Sequence, residues 1–439
     1  MSRPTDLDQR LQTMYSVVAN EEDARACRDL DERACNWVPR NFFLILGAST
    51  LTKLGDALSS PKTVLAWILA AVGAPTAMIA MLVPIRESLS MLPQLLLGAW
   101  VRRQPMRKPI VVAGSLLQAI AVAGCAAAAA WLTGAAAGAV ILACVIVFSL
   151  ARSLNSIAGK DVLGKTIPKG RRGRLGGWAA GVSGLMTLAV GLLFTLRGKG
   201  EDSPLFYAGL LAFAAGLWLV SILLYVGVKE EPGETAGGAN GWREAWSRLD
   251  LMRTDAPFRR FVITRGLLLC SALTGPFYVV LARQQGGGVS LLGTFLVAGG
   301  LASSLSAPMW GILADRSSRR VMTAAATLTA AVGFVLFAIM NLKPELAARS
   351  WLFPLFFFVL GIAHAGVRAG RKTYLVDLAG GVKRTDYVSV SNTLIGLLLL
   401  VVGGVTGLFS NLAPETVILG LSVMGLIGAG LSRTLPEVQ

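Results

Sequence analysis

The chain has 439 residues, of which 54% are apolar and only 15% charged, with a formal net charge of +16. An ordinary globular domain carries about 25% charged residues, and the mean hydropathy here is +0.62. The composition excludes a disordered protein and argues against a soluble enzyme or a nucleic-acid binder. It predicts an all-α polytopic membrane protein whose surplus Lys and Arg lie on one side of the bilayer.

Residues 1–41 are polar, and Glu21, Glu22, Asp23, Asp29, Asp31 and Glu32 interrupt any apolar core that a secretory signal would need. They are read as a cytoplasmic tail. Spans of about 20 apolar residues then follow at about 42–70, 74–99, 109–132, 134–158, 175–197 and 204–228. The first holds Lys53, Asp56 and Pro61 and is expected to be kinked or broken. A polar stretch at 229–257 contains a Gly-rich run and then Trp242, Trp246 and Leu249 at helical spacing, which predicts a short helix on the membrane surface. Six more spans are read at about 258–282, 289–313, 320–342, 350–370, 386–409 and 414–432, with 433–439 as a second cytoplasmic tail. The reading is thus twelve spans in two six-helix bundles, 42–228 and 258–432.

Of the 41 Lys and Arg residues, 30 fall in the tails and the loops on their side, five (Arg197, Lys199, Arg283, Lys343 and Arg349) on the opposite side, and six within spans. This asymmetry places both termini in the cytoplasm. The five cysteines form neither a zinc pattern nor a disulfide framework and are read as reduced thiols. With His364 the lone histidine, no metal centre or cofactor is expected.

Two motifs mislead. Gly159 to Thr166 fits the phosphate-loop pattern but follows an apolar span rather than a strand, and a basic loop comes after it. Gly181-Val-Ser183-Gly184 fits an intramembrane serine protease motif, yet the histidine that would serve as base lies five spans away. With no metal set and no nucleophile–base pair, the chain is not read as an enzyme.

Charges inside a membrane are costly and tend to face a cavity or a partner. Counting about 1.5 Å per residue puts Lys53, Asp56, Arg86, Glu87 and His364 near mid-membrane. Arg265 is intermediate, and Lys62, Arg152 and Arg368 come out near span ends. Lys53 and Asp56 share a helix face and are expected to pair. Arg86 and Glu87 are adjacent and point about 100° apart, so one is expected to face the cavity while the other pairs across to the first span; Glu87 is the best candidate proton carrier. Lys53 and Arg86 balance Asp56 and Glu87, and Arg265, Arg368 and His364 tip the set positive, which weakly favours an anionic or zwitterionic substrate.

The second half repeats the first at an offset of 212–213: Thr52-Lys53 aligns with Thr264-Arg265, Gly98 with Gly311, Arg103 with Arg316, and Gly184-Leu185 with Gly396-Leu397. The loop after the eighth span reads Gly311-Ile-Leu-Ala-Asp315-Arg316-Ser-Ser-Arg319-Arg320. This resembles the G-x-x-x-D-R-x-x-R-R loop of the major facilitator superfamily, as Leu92-Pro93-Gln94-Leu95 resembles the second span of its bacterial permeases. The resemblance implies that this loop closes a cytoplasmic gate, with Gly311 admitting a neighbouring helix, Asp315 facing a helix N-terminus, and Arg316, Arg319 and Arg320 forming ion pairs. In the first-half copy, Gly98 and Arg103 are kept but Arg102 stands where the aspartate belongs. The fifth span also lacks the Gly-Pro signature of many drug–proton antiporters.

The resemblance implies a secondary transporter in a bacterial inner membrane. It would act as a monomer in the lipid bilayer, moving a small-molecule substrate by alternating access, with protons as the driving ion. The other reading is a non-transporting sensor or assembly factor on the same fold, with the N-terminal tail as its working part.

Overall fold

A computed structural model describes residues 14–15, 32–196, 203–233, 235, 249–349, 351–379, 384–410 and 413–438. The surface helix expected around Trp242 and Trp246 lies outside the described residues, as does most of the N-terminal tail. Among the described residues all regular structure is helical, and ten helices are long and apolar enough to cross a membrane. The first two spans are each in two pieces and complete the twelve.

The first span is α1 (Val38–Leu58) and α2 (Val64–Ala71). It breaks where Ser59, Ser60 and Pro61 fall, because a proline disfavours helical backbone in the residue before it and cannot donate to the ladder. The second is α3 (Thr76–Met91) and α4 (Gln94–Arg102), parted at Pro93. Then come α5 (Lys108–Trp131), α6 (Gly134–Thr166), α7 (Lys169–Leu196) and α8 (Pro204–Val226). The second half opens with a seventh span in three pieces, α9 (Ala256–Leu267), α10 (Cys270–Leu273) and α11 (Gly275–Gln284). It continues with α12 (Val289–Arg316), α13 (Ser318–Leu342), α14 (Leu352–Ala379), α15 (Arg384–Phe409) and α16 (Pro414–Arg433). Two helices outrun their expected ends. α6 continues to Thr166, so the phosphate-loop lookalike is helix, and α14 continues to Ala379, so Arg371 is a helix residue rather than a loop residue.

The two halves pack alike. The third span lies against the fourth and sixth, as the ninth lies against the tenth and twelfth. The second meets the fourth as the eighth meets the tenth. The halves join along two seams related by the same symmetry, α7 against α12 and α15 against α3. Both seams are lined by small residues, which in a membrane let backbones approach. A Cβ on Gly403 of α15 would meet Pro84 Cγ at 2.1 Å, and one on Gly293 of α12 would meet the Gly191 carbonyl oxygen at 2.6 Å. Pro84 sits inside α3, where the ring widens the helix, and Gly403 supplies the room.

At the end of the bundle away from the termini the halves also meet across the broken first span. α2 packs on α11, and Trp67 is fully buried. Its ring lies 6.3 Å from that of Phe295 with the Arg283 guanidinium 5.4 Å from its centroid, and its Nε1 donates to the Tyr207 hydroxyl at 2.8 Å. At the terminal end a glutamate makes polar contacts within each half. In the first, the buried Glu230 carboxylate accepts from the Arg107 and Lys108 backbone N–H groups at 3.0 and 2.7 Å and pairs with Lys165 at 3.0 Å. In the second, Glu437 accepts from Ser317 Oγ and pairs with Arg319, both at 2.8 Å. Each glutamate follows the sixth span of its half and sits at the N-terminus of the third, where the helix dipole favours a negative charge.

Candidate functional site

The break in the first span positions the centre of the molecule. Asp56 ends the inner piece of that span and is held by two cations. Arg86 Nη2 of α3 donates to Oδ1 at 3.0 Å, and Arg152 Nη1 of α6 donates to Oδ2. The Arg86 guanidinium also lies 4.2 Å over the Phe148 ring, a cation–π contact on the same helix as Arg152. One carboxylate thus ties spans one, two and four together. The pairing of Asp56 with Lys53 expected from helix spacing does not occur. Lys53 is exposed, and both carboxylate oxygens are taken by arginines from other helices. Arg152, expected near a span end, belongs to this triad.

Lys62 was also expected near a span end. The break at residues 59–63 turns it inward instead, and its Nζ lies 3.1 Å from His364 Nε2 of α14. The other ring nitrogen, Nδ1, lies 3.1 Å from Ser271 Oγ of α10. The Ser271 hydroxyl donates in turn to the Leu268 carbonyl at 3.0 Å. An ammonium has no acceptor site, so Nε2 accepts and Nδ1 carries the ring proton. The contact crosses from the first half to the second.

Glu87, next to Arg86 on α3, lies in the field of Lys62, Arg86, Arg152 and Arg371. Among the described residues its carboxylate has no hydrogen-bond or ion-pair partner. Arg265 of α9 is buried and donates to two neutral groups, Ser391 Oγ at 2.6 Å and Asn392 Oδ1 at 2.9 Å. Its Nε has no partner among the described residues, and the charge that acts on it is another cation, Arg371. Arg368 is exposed and adds to the field at Lys62, His364 and Arg371. The structure therefore gathers Lys62, Glu87, His364, Arg368 and Arg371 around one region, sets the Asp56 triad beside it, and leaves Lys53 exposed. Lys62, Arg152 and Arg371 are members that the sequence reading placed elsewhere. The signal for Lys62 is the Ser59-Ser60-Pro61 break, which shifts every depth counted through it.

The gate-motif residues are spread along the terminal end. Gly98 has Ile157 as its nearest neighbour, 3.9 Å from a built Cβ, and Gly311 has nothing within 4 Å, so neither glycine is at a close helix approach here. Arg102, Arg103, Arg316 and Arg320 are exposed. Arg319 pairs with Glu437 and donates to the Leu435 carbonyl at 3.0 Å. The Asp315 side chain lies outside the description. In the first half, where Arg102 replaces the expected aspartate, Glu230 supplies the carboxylate at the N-terminus of α5.

Ser183 donates to the Ala180 carbonyl at 3.1 Å, while the histidine binds Ser271, so the protease lookalike has no base. Cys125, Cys144 and Cys270 are free, whereas Cys35 is disulfide-bonded, contrary to the expectation of reduced thiols throughout. Among the described residues no three His, Cys, Asp or Glu side chains cluster as a metal site would require.

Comparison with known proteins agrees with this architecture. Residues 261–438 match the sequence pattern of the Major Facilitator Superfamily. Uncharacterized proteins of Mycobacterium tuberculosis and Mycobacterium bovis are 24% identical over 343 residues, or 75% of this chain, and the chain spans 65% of the length of those relatives. Among solved structures, a D-xylose–proton symporter superposes with a TM-score of 0.67 at 15% identity, covering 91% of this chain and 99% of its own. The xylose transporter of E. coli in its inward open conformation gives 0.65 at 14%, covering 91% and 97%. A nucleoside transporter gives 0.65 at 15%, covering 89% and 98%. The second half of the chain thus carries the sequence pattern of the major facilitator superfamily, and the whole chain is a multi-pass membrane protein with that superfamily's fold.

Proposed function

We propose that the chain is a secondary transporter that carries a small anionic solute across a bacterial inner membrane by alternating access, driven by the proton gradient. The observation that carries this reading is the charge of the centre. With Asp56 saturated by Arg86 and Arg152, Glu87 is the one carboxylate among the described residues that acts on Lys62 and Arg371, while the charge acting on Arg265 is a further cation, Arg371. Uncompensated cations at membrane depth are costly, and a bound anion relieves that cost. Arg265, held by Ser391 and Asn392 with its Nε free, is the natural first contact, because a guanidinium presents a fork that matches a carboxylate or a phosphate. Glu87 supplies the counter-charge while the site is empty.

The Lys and Arg asymmetry supports cytoplasmic termini, and with that orientation the packed end around Trp67 faces outward and the exposed Lys53 and Arg368 face inward. The proposed state is inward-facing. Liposomes loaded with a pH dye and offered organic acids, phosphate esters, amino acids, sugars and hydrophobic drugs in turn test the reading. Proton flux is expected with an anionic class alone and is expected to fall at least tenfold in Arg265→Gln. Flux with sugars or drugs and none with anions refutes the anionic assignment.

A further inference from the structure

The contact between Lys62 and His364 crosses the two halves and holds a fixed number of protons. Two nitrogens 3.1 Å apart share one hydrogen. With Lys62 as the ammonium, His364 Nε2 must be bare, because a proton on it would point at the donor. The other ring nitrogen is committed to Ser271, whose own proton goes to the Leu268 carbonyl. The chain Lys62, His364, Ser271, Leu268 is therefore saturated with hydrogens and accepts no more while the halves are joined here. The charged groups acting on the pair are Glu87 from α3 and Arg368 and Arg371 from α14 itself.

Lys62 sits where the seam must part. It joins the two pieces of the first span, and its Cβ lies 3.8 Å from a Cβ built on Gly275 at the start of α11. When α2 and α11 separate to open the far end, the ammonium is drawn from the imidazole and water reaches both. Water then solvates the charged form of the ring and Nε2 no longer faces an ammonium, so Nε2 is open to a proton.

We propose that His364 is the proton-binding site that couples the gradient to movement: it binds one proton when the far end opens and gives it up when Lys62 returns to Nε2 on closing. This rests on the alternating-access reading above and moves the coupling proton from Glu87 to His364. The balance is one proton per cycle. It enters at Nε2 from the open side and leaves to the cavity facing the termini as the ammonium displaces it. Because the open state binds one proton more than the closed state, linkage makes the open state more favoured as pH falls, by up to about tenfold per pH unit.

The test needs no substrate. Spin labels at Thr133→Cys and Lys343→Cys, one on each half at the far end, are introduced in a chain whose native cysteines are alanine. Electron–electron distance distributions in nanodiscs are recorded from pH 5.5 to 8.5. Two populations are expected, with the longer distance gaining as pH falls. His364→Gln keeps the contacts, its amide oxygen accepting from Lys62 and its amide nitrogen donating to Ser271, yet it cannot titrate. It is expected to show both populations in a pH-independent ratio. Glu87→Gln is expected to keep the pH dependence. A pH dependence that survives in His364→Gln and disappears in Glu87→Gln overturns the proposal in favour of the carboxylate. Two populations indifferent to pH in the parent chain overturn proton coupling at the seam while leaving alternating access standing. A single distance at every pH overturns both.

Discussion

Replacing Glu230 by glutamine tests how the first half closes at its terminal end. The carboxylate side chain is 0% exposed, Oε1 receives the Arg107 N–H and the Lys165 ammonium at 3.0 Å, and Oε2 receives the Lys108 N–H at 2.7 Å. Glutamine keeps the shape but turns one oxygen into a donor, and either orientation aims it at an N–H or an ammonium. A charge-assisted hydrogen bond contributes about 1.5–3 kcal/mol. Removing one partner of a buried ion pair costs about 3–5 kcal/mol, and the charge at the α5 N-terminus adds about 0.3–1 kcal/mol. These terms overlap, so the expected loss is about 4 kcal/mol. At about 2–4 °C per kcal/mol for a cooperative unit the size of one half, the apparent melting temperature should fall by about 10 °C. The buried thiols Cys125 and Cys270 report unfolding directly through a thiol-reactive dye. The exposed Asp250→Asn is the control, expected to move the melting temperature by less than about 1 °C. A Glu230→Gln shift no larger than that of the control would refute the reasoning and make the carboxylate a bystander at the helix end.

Two further outcomes are expected. Gly403→Ala drives a methyl into Pro84 at 2.1 Å, whereas Gly404→Ala meets nothing within 4 Å. Overpacking of about 1–3 kcal/mol at a seam should change the balance between the two far-end distances about 5–150-fold in Gly403→Ala and leave it unchanged in Gly404→Ala. Equal behaviour of the two refutes a rigid seam. Asp56→Asn leaves Arg86 and Arg152 facing each other. With Arg152 41% exposed and so partly screened, about 3 kcal/mol of stability should be lost, and Arg152→Gln in the same chain should restore part of it. No recovery in that double variant would mean that the triad is not held by its charge.

The apolar runs made the number of spans legible, because a bilayer accepts little else at that depth. The 212–213 offset made the two-fold organisation legible, and the packing of equivalent spans follows it. The partners of the charges were legible only in part: a pair from the second span across to the first was expected and Arg86 makes it, but Arg152 was not foreseen. Lys53 is three residues from Asp56, but a carboxylate in a bundle pairs with whatever cation the neighbouring helices present, and Arg86 and Arg152 come from two other helices. Lys62 was misplaced because depth was counted along one continuous helix, and Arg371 because a positive charge was taken to end a span. Glu230 went unseen because a missing aspartate in one loop was sought only in that loop. The repeat held the clue. Arg107 and Arg319 stand 212 residues apart, and each lies against a glutamate that follows the last span of its own half.

Those two glutamates also bear on the history of the chain and on how it can be taken apart. Each half ties the segment that follows its last span to the start of its own third span. Such a tie would be copied along with its unit if the unit were doubled in a gene. A cut between the halves should then leave two pieces that still find each other along the glycine-lined seams.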